Sequence, residues 1–283
     1  MLQLLNRIDR RVIYLVMLGA LSWAVLAQVQ FPEEKSERTQ VVYDTIEQLP
    51  EGSRVLISLD YDPASSGELA PMSAALVRHL CERKHKLYFM TLWERGGGMI
   101  RQNLKILKEE YPQMMEGRDY VNLGYRPGLQ VAIRNAMSDM RSDFLTDARG
   151  VSLQDPAMPL TRGMKSFQEL NLLVCIGGGD PGAKQWVQFA AAAYGKAMIA
   201  GSPGVQSPQL QPYIPNQLTG MLGNVKAAAE YEILLIKGFP QFESRTGSRD
   251  AQRRMGPQLV AHLLIVSLIA LGNFIYFLER RAG

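Results

Sequence analysis

Leu259–Leu278 reads LVAHLLIVSLIALGNFIYFL and holds no charged side chain. About 20 apolar residues are what a helix needs to cross roughly 30 Å of hydrocarbon. Hydrocarbon also tolerates only backbones that pair internally, so this run has few alternatives to a helix. Pro257 suits the first turn of that helix, and Tyr276, Phe277, Glu279, Arg280 and Arg281 mark its far boundary. A second uncharged run, Val12–Val29, lies near the other end, after Arg7, Arg10 and Arg11, with Trp23 towards its exit. Val25-Leu26-Ala27 resembles a signal-peptide cleavage site. A retained anchor is nevertheless expected, because the later run already ties the mature chain to a bilayer. His262 sits about one turn inside the second run, at interfacial depth, and Asn273 lies deeper beside Gly272. Polar residues at such depth are functional candidates; Asn273 can pair with a neighbouring helix or find interfacial water.

Two crossings put both chain ends on one side and the intervening body on the other. The arginines before the first run and the stretch Glu33-Glu34-Lys35-Ser36-Glu37 after it favour cytoplasmic termini and an extracytoplasmic body. Arg253 and Arg254, on the body side of the second run, argue the opposite way. The first helix usually dominates, and that orientation is the expectation. The expected organisation is an anchor over 1–30, a linker and first helix over 31–53, a soluble domain over 54–240, a basic juxtamembrane linker over 241–256, and a crossing with a short tail over 257–283.

Composition removes several classes. With 47% hydrophobic and 20% charged residues in 283, the body is globular. A mean hydropathy near zero rules out a multi-span transporter. The net charge of +4 gathers beside the apolar runs, where it suits lipid headgroups. No basic stripe with stacking aromatics is present, so no nucleic-acid partner is expected. Cys81 and Cys175 are the only cysteines, with no CxxC, which argues against structural zinc; both are expected as free, buried thiols.

Between the anchors, short apolar runs alternate with helical patterns. Strands are expected at Arg54–Leu59, Lys86–Leu92, Tyr120–Leu123, Asn171–Ile176 and Lys196–Ala200. Helices are expected at Glu68–Arg83, Met99–Glu110, Leu129–Met140, Ala183–Tyr194 and Gln217–Ile236. Such alternation gives a parallel sheet covered on both faces, and continuous apolar strands agree. The fold class is therefore α/β, a flavodoxin-like or Rossmann-like three-layer sandwich flanked by two transmembrane helices. Segment 141–168 breaks the rhythm and reads as a functional excursion or a cover. The small side of the last helix, Gly220, Gly223 and Ala227–Ala229, is expected to pack on the sheet.

Ligands of such sheets bind beyond the carboxyl ends of the strands. The loops there contain Asp60, Asp62, Ser65, Ser66, Gly67, Gly97, Tyr125, Arg126, Gly178, Gly179, Asp180 and Ser202. Asp60-x-Asp62 after the first strand resembles the haloacid-dehalogenase-type phosphotransferases. That resemblance implies Asp60 as nucleophile, Asp62 as acid/base and Thr91 as the hydroxyl after strand two. It also implies magnesium held by Asp60, Asp62 and Asp180. Pro63-Ala64 departs from that pattern, and no lysine other than Lys165 stands near for the phosphate. Ala64-Ser-Ser-Gly67 at a helix start offers an alternative, a flavin or nucleotide phosphate loop, although plain helix capping is the expectation for its serines. A receiver domain lacks its aspartate after strand three, where Gly124-Tyr125 stands. His79 and His85 are expected at the surface, and with His262 in the membrane run no Ser-His-Asp set can form.

The strings DYDPASSGELAPM, LGYRPG, PYIPNQLTGMLGNVKAAAEYE and AHLLIVSLIALGN make nearly the whole chain resemble a group of uncharacterised bacterial membrane proteins with two terminal spans around an α/β domain. The resemblance implies a bacterial inner membrane and no particular activity. The expectation is a non-catalytic ligand- or partner-binding assembly subunit. Its partners would be the bilayer and either further copies or other membrane proteins. A membrane-tethered, magnesium-dependent hydrolase or phosphotransferase is one alternative, and a nucleotide- or flavin-binding module is another.

Overall fold

A computed structural model describes residues 9–27 and 36–282. The chain divides into two compact units, one of residues 1–33 and 252–283, the other Glu34–Ala251. Arg7, the end of the first apolar run at Val29, and Glu33-Glu34-Lys35 lie outside the described residues.

The first unit holds helix α1, Arg10–Leu26, and most of the last helix, Asp250–Ala282. At about 1.5 Å per residue, the 17 residues of α1 fall short of the hydrocarbon thickness. Among the described residues, Asp250–Phe277 is the one stretch long and apolar enough to cross a membrane, with a mean hydropathy of 2.1 and almost no burial. The expected pair of crossings is thus met by length only at the carboxyl-terminal helix. Along α1 the less exposed residues are Ile13, Met17, Ala20, Leu21 and Ala24, a spacing that marks one helical face. His262 and Asn273 are both exposed.

The second unit is built on a six-stranded sheet. Its strands are β1 (Arg54–Asp60), β2 (Lys86–Thr91), β3 (Tyr120–Tyr125), β4 (Leu172–Gly177), β5 (Met198–Gly201) and β6 (Gly220–Leu222). All pair in parallel, in the order β3-β2-β1-β4-β5-β6. That is the doubly wound order of dinucleotide-binding sheets rather than the flavodoxin order, and its direction reverses between β1 and β4. The helices are α2 (Glu37–Glu47), α3 (Ser66–Glu82), α4 (Gly97–Glu110) and α5 (Gln130–Asp139). Next comes α6, which starts as Ala183–Trp186, passes through a π-helical stretch, Val187–Ala191, and closes as Ala192–Tyr194. Then follow α7 (Ser207–Leu210), α8 (Val225–Gly238) and α9 (Asp250–Ala282).

The expected apolar stripes are the buried ones. Leu69, Met72, Leu76 and Leu80 of α3 and Ile100, Leu104 and Leu107 of α4 all face the core. Two expectations need correction. The helix expected from Gln217 begins only at Val225, where the Asn224 side chain caps it by accepting from the Ala227 amide at 2.9 Å. The residues before it form β6, a strand too short to show a period. A β-carbon at Gly220 would come within 3.0 Å of Val42, so α2 lies directly on this strand. The two histidines expected at the surface are buried instead. His79 lies three residues after Leu76, on the same inward face of α3.

Segment 141–168 is a cover. Phe144, Leu153, Met158, Leu160, Met164 and Phe167 are buried in the main apolar cluster. The segment is pinned to the β2–β3 side: Tyr88 donates its hydroxyl to the Leu160 carbonyl (2.7 Å), and the Ala148 amide donates to the Asn122 carbonyl (2.8 Å).

Candidate functional site

The reversal of strand order opens the place where doubly wound sheets bind ligands, and Asp60 sits there as the last residue of β1, in register with Gly177 of β4. Asp60 is fully buried. Its Oδ1 accepts the Leu92 amide at 2.6 Å. Its Oδ2 accepts Ser58 Oγ at 2.8 Å, the Trp186 indole at 2.9 Å and the Cys175 thiol at 3.4 Å. Burial raises its pKa to about 6 against the pull of these donors, and the same burial drives the Cys175 thiol up. A carboxylate shared among β1, the turn after β2, β4 and α6 ties the centre of the sheet together. It is shielded from solvent on every side.

Asp62 does different work. Its Oδ1 accepts the Ala64 amide at 3.0 Å and the Ser65 amide at 3.4 Å, the geometry of an Asx turn. Thr91 is buried and serves its own loop: Oγ1 accepts the Trp93 amide (3.0 Å) and donates to the Trp93 carbonyl (3.3 Å). Asp180 is exposed on the rim of a small cavity with Gly179, Lys184, Gln206 and Leu210. Among the described residues, no three His, Cys, Asp or Glu side chains come together as a metal site. The geometry therefore does not gather Asp60, Asp62 and Asp180 around one ion.

The glycines of the loop after β4 make room for protein atoms. A β-carbon at Gly178 would come within 2.8 Å of Ser65 Oγ, and one at Gly179 within 2.7 Å of the Trp93 ring. One at Gly177 would meet the Ala183 amide nitrogen at 2.9 Å. The Trp93 indole lies across this loop and donates to the Pro181 carbonyl at 2.7 Å, while Gln206 Nε2 donates to the Gly178 carbonyl at 2.8 Å. The cavity that remains measures about 200 Å³, below the range of ordinary small-molecule pockets.

The other candidate residues are distributed along the same edge. Ser65 holds the N-cap position of α3 without a side-chain cap bond, and Ser66 donates to the Pro63 carbonyl at 2.8 Å. The expected capping role is thus a turn role. Gly67 and Gly97 face open space, except for the Arg101 guanidinium near Gly97. Ser202 is buried and pairs with Ser207 Oγ at 3.1 Å. Arg126 donates to the Thr146 carbonyl at 2.6 Å and stacks 4.7 Å from the Phe144 ring centre. Tyr125, its neighbour, is exposed.

Sequence reasoning missed a second polar cluster, on α8. Glu230 Oε2 accepts from the Ser36 hydroxyl (2.7 Å), the Thr39 hydroxyl (2.7 Å) and the Ser36 amide (3.2 Å), holding the start of α2. Glu232 Oε1 accepts the Ala251 amide (2.8 Å), at the start of α9. A carboxylate at a helix amino terminus meets both free amides and the positive end of the dipole. Between them, Tyr231 shares a 2.6 Å hydrogen bond with His79 Nδ1, and His79 Nε2 lies 2.7 Å from Glu47. Burial lowers the His79 pKa to about 4 despite Glu47, so the ring is neutral. It donates through Nε2 and accepts from the tyrosine. Arg78 forks onto Glu110 (2.7 and 3.0 Å) and donates to the Gly247 carbonyl (2.9 Å). One signal was available in the sequence. The triplet Glu230-Tyr231-Glu232 interrupts an alanine-rich inward face, and charges there must be partnered if buried.

Compared with known proteins, the sequence matches no family model, and no curated protein matches it.

Proposed function

We propose that the chain is a membrane-tethered, non-catalytic α/β subunit that binds or assembles with a partner at a bacterial inner membrane. The observation that carries this reading is the use of Asp60. The carboxylate that ends β1 at the reversal of strand order is spent on four protein donors, and the loop beside it is filled by Trp93 and Ser65. A nucleophile must reach its substrate, and a magnesium ligand must leave oxygens open to the ion; Asp60 does neither. The tether is α9, with α1 as a second, shorter membrane segment and both termini in the cytoplasm.

The test uses the full chain in detergent with magnesium and p-nitrophenyl phosphate, beside its Asp60→Asn and Asp62→Asn variants. Equal background hydrolysis in all three is the expected outcome. Magnesium-dependent turnover in the parent that either variant abolishes would replace this reading with the phosphotransferase one. Topology is tested by a reporter enzyme fused after Gly283. Activity confined to the cytoplasm is expected, and activity outside it would reverse the orientation.

A further inference from the structure

The carboxyl-terminal edge of the sheet carries apolar side chains that nothing in its own unit covers. After β3, Tyr125 is 41% exposed, Leu129 53% and Val131 52%. Leu145 is 68% exposed, and it is drawn alongside by the bond from Arg126 to the Thr146 carbonyl. At the far end of the same edge, Val205 in the loop after β5 is 85% exposed. Scattered apolar residues at a surface need no explanation, but a cluster does.

Backbone conformation singles out the same loop. Leu129 has φ +52° and ψ −128°, directly after Gly128 at φ +112°. A branched residue held in that region costs about 1–3 kcal/mol. Here the strain does not bury the leucine; it holds it out in solvent.

Charge and chain direction indicate what this edge meets. In the segments 92–101 and 125–134, after β2 and β3, the charged residues are Arg95, Arg101, Arg126 and Arg134 against Glu94, while of the two aspartates that flank Leu145, Asp143 accepts from Asn135 and Asp147 pairs with Arg149. Aromatic and aliphatic tips among arginines form the pattern of a surface that rests in the interfacial layer of an anionic bilayer. The start of the chain in this unit, at Ser36, also lies towards this edge. Ser36 borders a cavity with Gly223 and Asn224, just past the end of β6. The final segment passes Gly247, whose carbonyl accepts from Arg78, and Asp250, which lines one cavity with Ala70, Ser73 and Arg78. From Asp250 it continues directly into the apolar helix α9.

We infer that the loop Tyr125–Val131, with Leu145 beside it, docks on the lipid surface. The sheet edge that would hold a ligand in related architectures is thereby a membrane-contact face. This rests on the membrane-tethered reading and adds to it. In a bilayer the apolar tips would lie about 5–10 Å into the headgroup and acyl boundary.

The experiment uses the full chain reconstituted in vesicles of mixed phosphatidylcholine and phosphatidylglycerol, with part of the lipid brominated near the headgroup end of the acyl chain. A fluorescent thiol probe is placed at Leu129→Cys or, in a second variant, at Val131→Cys. The control is Met115→Cys, equally exposed but in the turn before β3, at the opposite edge. Cys81 and Cys175 are buried and do not compete for label. Bromolipid quenching at least about twofold stronger at 129 and 131 than at 115 is expected for an interfacial contact. Equal, weak quenching at all three sites in vesicle-bound protein overturns the inference and leaves the tether standing. Failure of the chain to enter vesicles at all overturns the tether itself.

Discussion

Asp60→Asn separates a structural carboxylate from a reactive one. The amide keeps the shape but offers one accepting oxygen where the carboxylate offers two. Ser58 and Cys175 can rotate their hydrogens away; the Leu92 amide and the Trp186 indole, at 2.6 and 2.9 Å on opposite oxygens, cannot. Whichever way the amide turns, one fixed N–H faces an NH₂ group. A buried donor left without a partner costs about 1–3 kcal/mol, and one is lost in either orientation, so the substitution costs about that much. Against this stands relief of a buried charge. The folded pKa is raised from 3.8 to about 6, so the folded state prefers the protonated acid. Stability from this group is greatest below the unfolded pKa and declines as pH rises through the folded one. At about 1.4 kcal/mol per unit, the decline is on the order of 3 kcal/mol. A protonated carboxyl still accepts through both oxygens, so at low pH the variant loses that hydrogen bond without relieving any charge. The destabilisation should therefore be larger near pH 4 than near pH 8, by on the order of 3 kcal/mol. Urea unfolding of the full chain in detergent, followed by tryptophan fluorescence, measures it. A variant as stable as the parent at both pH values would refute the buried, four-donor environment and return Asp60 to the reactive candidates.

Other substitutions probe neighbouring parts of the account. Asp62→Asn keeps one oxygen for the Asx turn and should change stability by no more than about 0.5 kcal/mol, in the same unfolding assay. Gly179→Ala forces a methyl into the Trp93 ring and should cost about 1–3 kcal/mol, with a change in tryptophan emission as Trp93 is displaced. Arg78→Ala leaves Glu110 to Arg245 alone among the described residues, at 3.1 Å, and should cost about 1.5–3 kcal/mol for the lost charged hydrogen bonds; limited proteolysis should then cut first near Gly247. His79, held neutral with its folded pKa lowered to about 4, makes the unfolded chain the better proton acceptor. Stability should fall as pH drops from about 6.5 towards 4, on the order of 3 kcal/mol, and His79→Gln should flatten that part of the profile.

Much of the fold was legible because its signals are local. β1, β2 and β4 are continuous apolar runs, and α3 and α4 repeat their apolar residues at helical spacing, so their positions follow from period alone. β6 was not legible: three residues carry no period, and what makes them a strand is the Met198 carbonyl and the underside of α2. The order of the strands is likewise a product of crossovers, not of any one segment. At the candidate site, Asp60 was visible as a residue, but its role depends on Trp186, 126 positions away in sequence. The glycines were visible too. A glycine admits a phosphate or a tryptophan ring equally well, and only Trp93 decides between them. His79 and the Glu230–Glu232 triplet were misplaced or undervalued because polarity suggests surface until partners are known, and those partners lie on three different helices.

The direct measurement of the central claim is extraction of membranes from bacteria expressing the full chain. At alkaline pH in carbonate, peripheral proteins are released and bilayer-crossing helices are not. The chain is expected to stay in the pellet and to dissolve only with detergent. Recovery of the intact chain in the carbonate supernatant would contradict the account.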